Sequence, residues 1–393
     1  MVEDCCCDYS TVNALNQQVL HPLLQSLVST PFFRYYKAKL WCDCPFWPDD
    51  GMCVLRDCSV CECPEDEFPE NFRKEMSRQG SRRPLDDLIC QEGKPQATVD
   101  RTLDPQAFTW KSRDNPWTAD DERDEDDVTY VNLLLNPERY TGYEGPSARR
   151  IWDAVYNENV LVSPQTGQNQ DSKSLNGGQK SPPESRVLYK LISGLHSSIS
   201  VHIAAGYLLD KSTSRWGTNV TLLHDRVTKH PDRVQNLYFT FLLVLRAVTK
   251  AADYLTQAEY DTGNPIDDQA TAESVIRLVR NERLQVACPK PFDEAKLWKG
   301  ADGSELLMRL QRQFRNISAI MDCVGCEKCR LWGKLQILGL GTALEILFSE
   351  DSPQNPPVLQ RNEVIALINL LNRLSESLHF LQELAPLVKE PDL

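Results

Sequence analysis

Cysteine constrains this chain more than any other residue. Of its 14 cysteines in 393 residues, ten lie before residue 91, at positions 5, 6, 7, 42, 44, 53, 58, 61, 63 and 90. Three more form the group Cys323, Cys326 and Cys329, and Cys288 stands alone. A cytosolic enzyme rarely gathers thiols this densely unless they bind metal, so the choice lies between an oxidised secretory protein and a zinc protein. The sequons Asn219-Val220-Thr221 and Asn316-Ile317-Ser318 lean toward the secretory side and make Asn219 and Asn316 candidate glycosylation sites. The opening MVEDCCCDYS has no basic segment followed by an apolar one, so it does not read as a signal peptide. A secretory reading therefore expects a leader that this sequence lacks.

The segment MDCVGCEKCRLWGKL (321–335) is a doubled C-x-x-C inside a helical pattern. On a helix, residues three apart have Cα atoms roughly 5 Å apart, within the roughly 4.4–6.8 Å that a disulfide tolerates, whereas six residues rise by about 9 Å. Cys326 can therefore bond either neighbour, but Cys323 and Cys329 cannot bond each other unless the helix breaks. Helix ends and nearby cations lower a thiol's pKa, which suits such a pair to redox cycling, and Lys328 and Arg330 flank Cys329. Two blander readings compete. One is a zinc site, with Cys58 and Cys61 as a second C-x-x-C pair, although no histidine lies in the cluster. The other is a purely structural disulfide knot.

Near the N-terminus, Cys5, Cys6 and Cys7 are consecutive and cannot easily bond one another without strain, so their partners are expected to be distant or upstream of this sequence. Cys53-x4-Cys58 falls in a loop with Asp49, Asp50 and Gly51 and is expected to be exposed and mobile, as a carrier meeting other proteins needs.

Apolar residues at helical spacing mark 12–41, where Val12, Leu15, Val19, Leu20, Leu23, Leu24 and Leu27 share a face, then 128–160, 189–210, 235–255, 274–286, 305–336 and 363–384. Between them lie a Cys-rich loop (41–69), a polar stretch (70–127) ending in the charge run DDERDEDD, and a flexible polar loop (163–185). No long alternation of period two and no tandem repeat occurs. The expected fold is mainly α: a single helical domain over 1–393 with long Cys-rich and acidic loops. It is not a Rossmann domain, since Gly339-Leu340-Gly341 is only a fragment of G-x-G-x-x-G. The formal net charge of −13 argues against nucleic acid as a partner. No run approaches 18 uninterrupted apolar residues, so any membrane association is expected to be peripheral.

Five ordered blocks, CPFWPDDGMCVLRDC (44–58), LLLNPERYTGYEGP (133–146), YKLISGLHSSISVH (189–202), NLYFTFLLVLRAVTK (236–250) and FRNISAIMDCVGCEKCRLWGKLQ (314–336), resemble those of the endoplasmic-reticulum oxidoreductins, in a plant-type form without its leader. The resemblance implies a thiol oxidase of the endoplasmic-reticulum lumen that recharges protein disulfide isomerase and reduces oxygen to hydrogen peroxide. It further implies a compact helical fold that binds FAD between helices and holds no metal. Cys326–Cys329 would be the inner pair beside the flavin, with Cys329 nearer to it, and Cys53–Cys58 the outer shuttle pair. Cys323 would be structural, bonded to Cys44. Arg139, Thr141, Trp152, Ser193, His196, Arg233 and Arg246 would contact FAD. In the resting form Cys90 would pair with Cys53, and Cys58 with Cys61 or Cys63. Val160 stands where the family pattern carries a cysteine, so one loop-closing disulfide is absent. The competing function is a non-catalytic, disulfide-rich secreted interaction protein.

Overall fold

The apolar spacing of the first stretch produces helices α1 (Tyr9–Leu15) and α2 (His21–Val28), joined without a gap by a π-helical turn, Asn16–Leu20. Val12, Leu15, Leu20, Leu24 and Leu27 all face the core. The computed structural model describes residues 8–40, 44–47, 58–64, 66–77, 115–118, 128–138, 143–160, 183–206, 208–210, 215–229, 231–287, 303–348 and 359–388. After the short helix α3 (Pro31–Arg34) the chain extends as β1 (Tyr35–Lys39), which pairs antiparallel with β2 (Val128–Asn132), Lys37 opposite Tyr130. Both strands fall where periodicity expected helix. Tyr35-Tyr36 and Val128-Thr129-Tyr130-Val131 are aromatic and β-branched, types that favour strands. At five residues each, however, the strands are too short for period two to stand out.

The remaining helices are α4 (Glu70–Ser77), α5 (Pro146–Asp153), α6 (Pro183–Ala205), α7 (Val220–Lys229), α8 (Pro231–Lys250), α9 (Ala252–Gln257), α10 (Pro265–Val279), α11 (Glu282–Ala287), α12 (Gly303–Ile320), α13 (Glu327–Phe348) and α14 (Arg361–Val388). A π-helical segment, Ala154–Val160, continues α5, and Val160 is buried there. A second ribbon, β3 (Leu208–Asp210) with β4 (Arg215–Gly217), follows α6, so the helix expected over 189–210 stops at Ala205. The polar stretch 70–127 is not loop throughout. It contains α4 and a docked turn in which Trp117 is buried against the rings of Phe314 and Phe348. The charge run 120–127 and residues 163–182 lie outside the described residues.

The core is built on two close helix pairs, α6 with α8 and α13 with α14. Glycine permits both approaches. A Cβ on Gly194 would collide with the Thr240 side chain and the Asn236 carbonyl, and one on Gly339 would lie 2.5 Å from the Ala366 carbonyl oxygen. Gly339 and Gly341 are thus contact points of a core helix. Among the described residues, α13 alone is long and apolar enough to cross a membrane by length and composition, with a mean hydropathy of 1.3. Nearly all of it is buried in protein, and a helix wrapped by neighbours is apolar on every face.

The helix expected over 305–336 is two helices. Between α12 and α13 the chain passes through a 3-10 turn, Met321–Cys323, and an extended Val324. This break sets up the site.

Candidate active site: a helix-capped disulfide and a pinned cysteine arm

Cys323 leaves the end of α12 and is bonded to Cys44, the two Cα atoms 4.4 Å apart across 279 residues of sequence. Three residues on, Cys326 stands directly before α13. The Arg330 N–H donates to the Cys326 carbonyl at 2.7 Å, and the Cys329 N–H donates to Cys326 Sγ at 3.2 Å, so a sulfur caps the helix. Cys326 and Cys329 form a disulfide with Cα atoms 5.1 Å apart. Cys326 is fully buried and Cys329 half-buried.

The surrounding hydrogen bonds hold this turn open. Arg330 donates from Nε to the Val324 carbonyl at 2.7 Å and from Nη1 to the Leu40 carbonyl. Lys334 Nζ bonds the Lys39 carbonyl at 2.8 Å and Asp322 at 2.7 Å. The Gly325 N–H donates to the Tyr143 hydroxyl at 3.3 Å. Arg330 therefore ties α13 to the end of β1 as well as carrying charge near Cys329. The partial positive charge of the α13 N-terminus falls on Cys326.

The Cys-rich segment returns alongside. Cys58 is buried and disulfide-bonded, Cys61 is an exposed free thiol and Cys63 a buried one. Burial, first of all, pushes the Cys63 thiol's pKa up. In this structure neither Cys61 nor Cys63 is bonded to Cys58, and Cys53 and Cys90 lie outside the described residues. The expectation that this pair is exposed and mobile fails at Cys58, because the arm that follows it is fastened. The Val60 N–H donates to Glu327 Oε2 at 2.9 Å. The Asn136 amide bonds both backbone groups of Cys61, accepting at 2.7 Å and donating at 2.9 Å. Glu62 then bridges to Val131, adding a rung to the edge of β2. Asn136, whose carbonyl accepts from Trp332 Nε1 at 2.7 Å, and Glu327 carry no local sequence signal, since each is defined by a segment far away in the chain.

A second cluster joins α5 to α6. The Trp152 and His196 rings stack with centroids 3.8 Å apart and planes 12° from parallel. Tyr156, one turn beyond Trp152, lies 3.1 Å from His196 Nδ1 through its hydroxyl, and burial raises its pKa strongly. The i,i+4 spacing of Trp152 and Tyr156 was the available signal for this third ring. Ser193 is buried one turn before His196 and accepts from Asn236 of α8 at 3.1 Å. Arg233 is close enough for its charge to act on both Tyr156 and Tyr189. Arg246 is half-buried further along α8. Arg139 and Thr141 lie outside the described residues, between Glu138, which is paired with Arg373 at 2.5 Å, and Tyr143.

A family model described as Endoplasmic Reticulum Oxidoreductin 1 (ERO1) matches residues 19–381. The chain belongs to that family. Endoplasmic reticulum oxidoreductin-2 of Arabidopsis thaliana is 65% identical over 390 residues, covering 98% of this chain and 78% of that protein. Endoplasmic reticulum oxidoreductin-1 of the same plant is 63% identical, covering 98% and 80%. Among solved structures, Ero1p, described as a source of disulfide bonds for oxidative protein folding in the cell, aligns with a TM-score of 0.60 at 25% identity, covering 96% of this chain and 97% of that one. The mainly helical single domain expected from the sequence is thus the oxidoreductin fold. Membership of the ERO1 family implies a flavin. The donor set fits one: Trp152, Tyr156 and His196 offer flat surfaces, Ser193 a hydroxyl, and Arg233 and Arg246 positive charge for a diphosphate.

Proposed function

We propose that this oxidoreductin is a thiol oxidase of the endoplasmic-reticulum lumen. It takes electrons from reduced members of the protein disulfide isomerase family through Cys53–Cys58 and passes them to Cys326–Cys329. FAD and oxygen are the acceptors beyond, and hydrogen peroxide is the product. The observation that carries this reading is the Cys326–Cys329 disulfide on the first turn of α13, with the Cys58 arm hydrogen-bonded beside it.

The residues proposed to hold FAD are Trp152, Ser193, His196, Arg233 and Arg246, together with Arg139 and Thr141. When bound, FAD supplies a two-electron acceptor for the inner dithiol and is reoxidised by oxygen. The chain's own part is thiol–disulfide exchange. The inner disulfide sits at the N-terminus of α13, and the half-buried Cys329 is the sulfur proposed to face the flavin. Because Cys326 is fully buried, a folded protein substrate cannot reach it, which is why an outer pair is needed. Each exchange is nearly balanced, about 30 mV corresponding to only about 1.4 kcal/mol for two electrons, so direction comes from oxygen consumption.

Oxygen uptake with reduced protein disulfide isomerase tests the reading. The wild-type chain should consume oxygen and the Cys329→Ala variant should not. Equal uptake by both would overturn the assignment of the inner pair, and a colourless preparation that consumes no oxygen would favour the non-catalytic alternative.

A further inference from the structure

Two residues outside the cysteine pairs tie the chain after Cys58 to α13. Glu327 lies between Cys326 and Cys329 in sequence, and its carboxylate accepts from the Val60 N–H at 2.9 Å. Asn136 is fully buried and makes a two-way amide pairing with the Cys61 backbone, at 2.7 and 2.9 Å. Its own carbonyl accepts at 2.7 Å from Trp332, three residues after Cys329. Two hydrogen-bonded routes thus run from the chain just after Cys58 to α13, one to its first turn at Glu327 and one to its second at Trp332. Val60 is two residues from Cys58, a reach of at most about 7 Å for extended chain. Cys58 is therefore leashed to the turn that carries the inner disulfide, whatever the rest of its loop does.

We propose that Asn136 and Glu327 are positioning residues that dock the Cys58 arm on α13 for electron transfer between the two pairs. This rests on the two-pair reading given above. In that transfer a thiolate of the reduced outer pair attacks one sulfur of Cys326–Cys329, and the other leaves as a thiolate. The second outer thiol then resolves the mixed disulfide. One S–S bond breaks and one forms, and two electrons and two protons pass to the inner pair. Attack needs the sulfurs aligned and close, and displacement by even about 1 Å costs up to about a hundredfold in rate. A leash fixed at Glu327, between the two inner cysteines, and at Trp332, just beyond them, supplies that alignment.

The test mixes the full-length, FAD-loaded oxidised protein with reduced protein disulfide isomerase under anaerobic conditions. Rapid alkylation quenching and non-reducing mass mapping then follow the species with a reduced outer pair and an oxidised inner pair. In Glu327→Ala and Asn136→Ala this species should accumulate, its decay slowed about tenfold, while loading of the outer pair by the isomerase stays within about twofold of wild type. Glu327→Gln, whose side-chain carbonyl still accepts from Val60, should restore the rate. Unchanged transfer in Glu327→Ala would overturn the proposal, as would a Glu327→Gln variant as slow as the alanine. If Asn136→Ala does not fold, Glu327→Ala decides alone, since Glu327 is only half-buried. Cys58→Ala separates the two levels: wild-type transfer in that variant would defeat the two-pair reading itself.

Discussion

Cys61 and Cys63 flank a single glutamate, yet the first thiol is exposed and the second buried. Burial raises the Cys63 pKa because a thiolate there would lose its water. In the form in which both are free thiols, mild alkylation should modify Cys61 first, with Cys63 slower by about tenfold or more. Equal rates by mass mapping would show that the arm opens as a whole. The same contrast favours Cys61 over Cys63 as the resting partner of Cys58. Non-reducing mapping of the resting protein should find Cys58–Cys61 together with Cys53–Cys90, and finding only Cys53–Cys58 would sink that regulatory pairing. The two sequons differ in a similar way. Asn219 caps α7 and Thr221 is exposed, whereas Asn316 lies within α12 and Ser318 is buried. A glycan on the folded protein is expected at Asn219, and peptide mapping that finds Asn316 modified instead would contradict this. At this scale the C-x-x-C spacing was legible because disulfide geometry is local. The roles of Asn136 and Glu327 were not, since a hydrogen bond to Cys61 or Val60 depends on where the chain returns.

Helices announced themselves wherever a broad apolar stripe faced the core, and they failed to do so at their ends. The break between α12 and α13 was hidden because Met321, Val324 and Leu331 continue a helical pattern through it and all are buried on both sides of the turn. What breaks the helix is the bond from Cys323 to Cys44 and the carbonyls turned toward Arg330, neither of which is a local property. Strands β1 and β2 were missed for a different reason: five residues cannot establish a period. The Gly339-Leu340-Gly341 fragment, discarded as a nucleotide signature, proves to be packing chemistry. Gly339→Ala would place a methyl against backbone that has no rotamer to escape into, and a loss of about 1–3 kcal/mol is expected in denaturant unfolding. A wild-type midpoint would mean that α14 slides away without penalty.

A buried polar network ties three regions of the molecule together. Arg373 of α14 pairs with Glu138 at 2.5 Å, stacks over Trp332 of α13 at 5.1 Å and presents its backbone carbonyl 3.1 Å from Nε2 of His202 on α6. Arg373→Met should destabilise the protein by about 3–5 kcal/mol, because it leaves the Glu138 carboxylate largely buried without its partner. His202 is wholly buried, and burial, followed by the Arg373 charge, holds its pKa well below the ordinary 6.5. The folded chain thus keeps it neutral while the unfolded chain binds a proton as pH falls. Stability from this site is complete above about pH 6.5 and is lost below it, at up to about 1.4 kcal/mol per pH unit. Thermal melts at pH 7.5 and 5.5 should show a smaller acid loss in His202→Gln than in wild type. An identical loss would place the acid sensitivity elsewhere.

The Cys44–Cys323 bond sits at the root of the turn that carries the inner disulfide, and 279 residues separate its two halves. Ribosomal synthesis delivers Cys44 early and Cys323 near the end, so this link closes only when most of the polypeptide is already present. Closing so large a loop removes on the order of 5 kcal/mol of chain entropy from the unfolded ensemble in the simplest account. A protein proposed to supply disulfides to others therefore depends on receiving one before its own centre can be assembled. Each new copy must mature in a compartment where earlier copies, or another oxidant, are already at work, so the capacity to make disulfides is handed down as well as encoded.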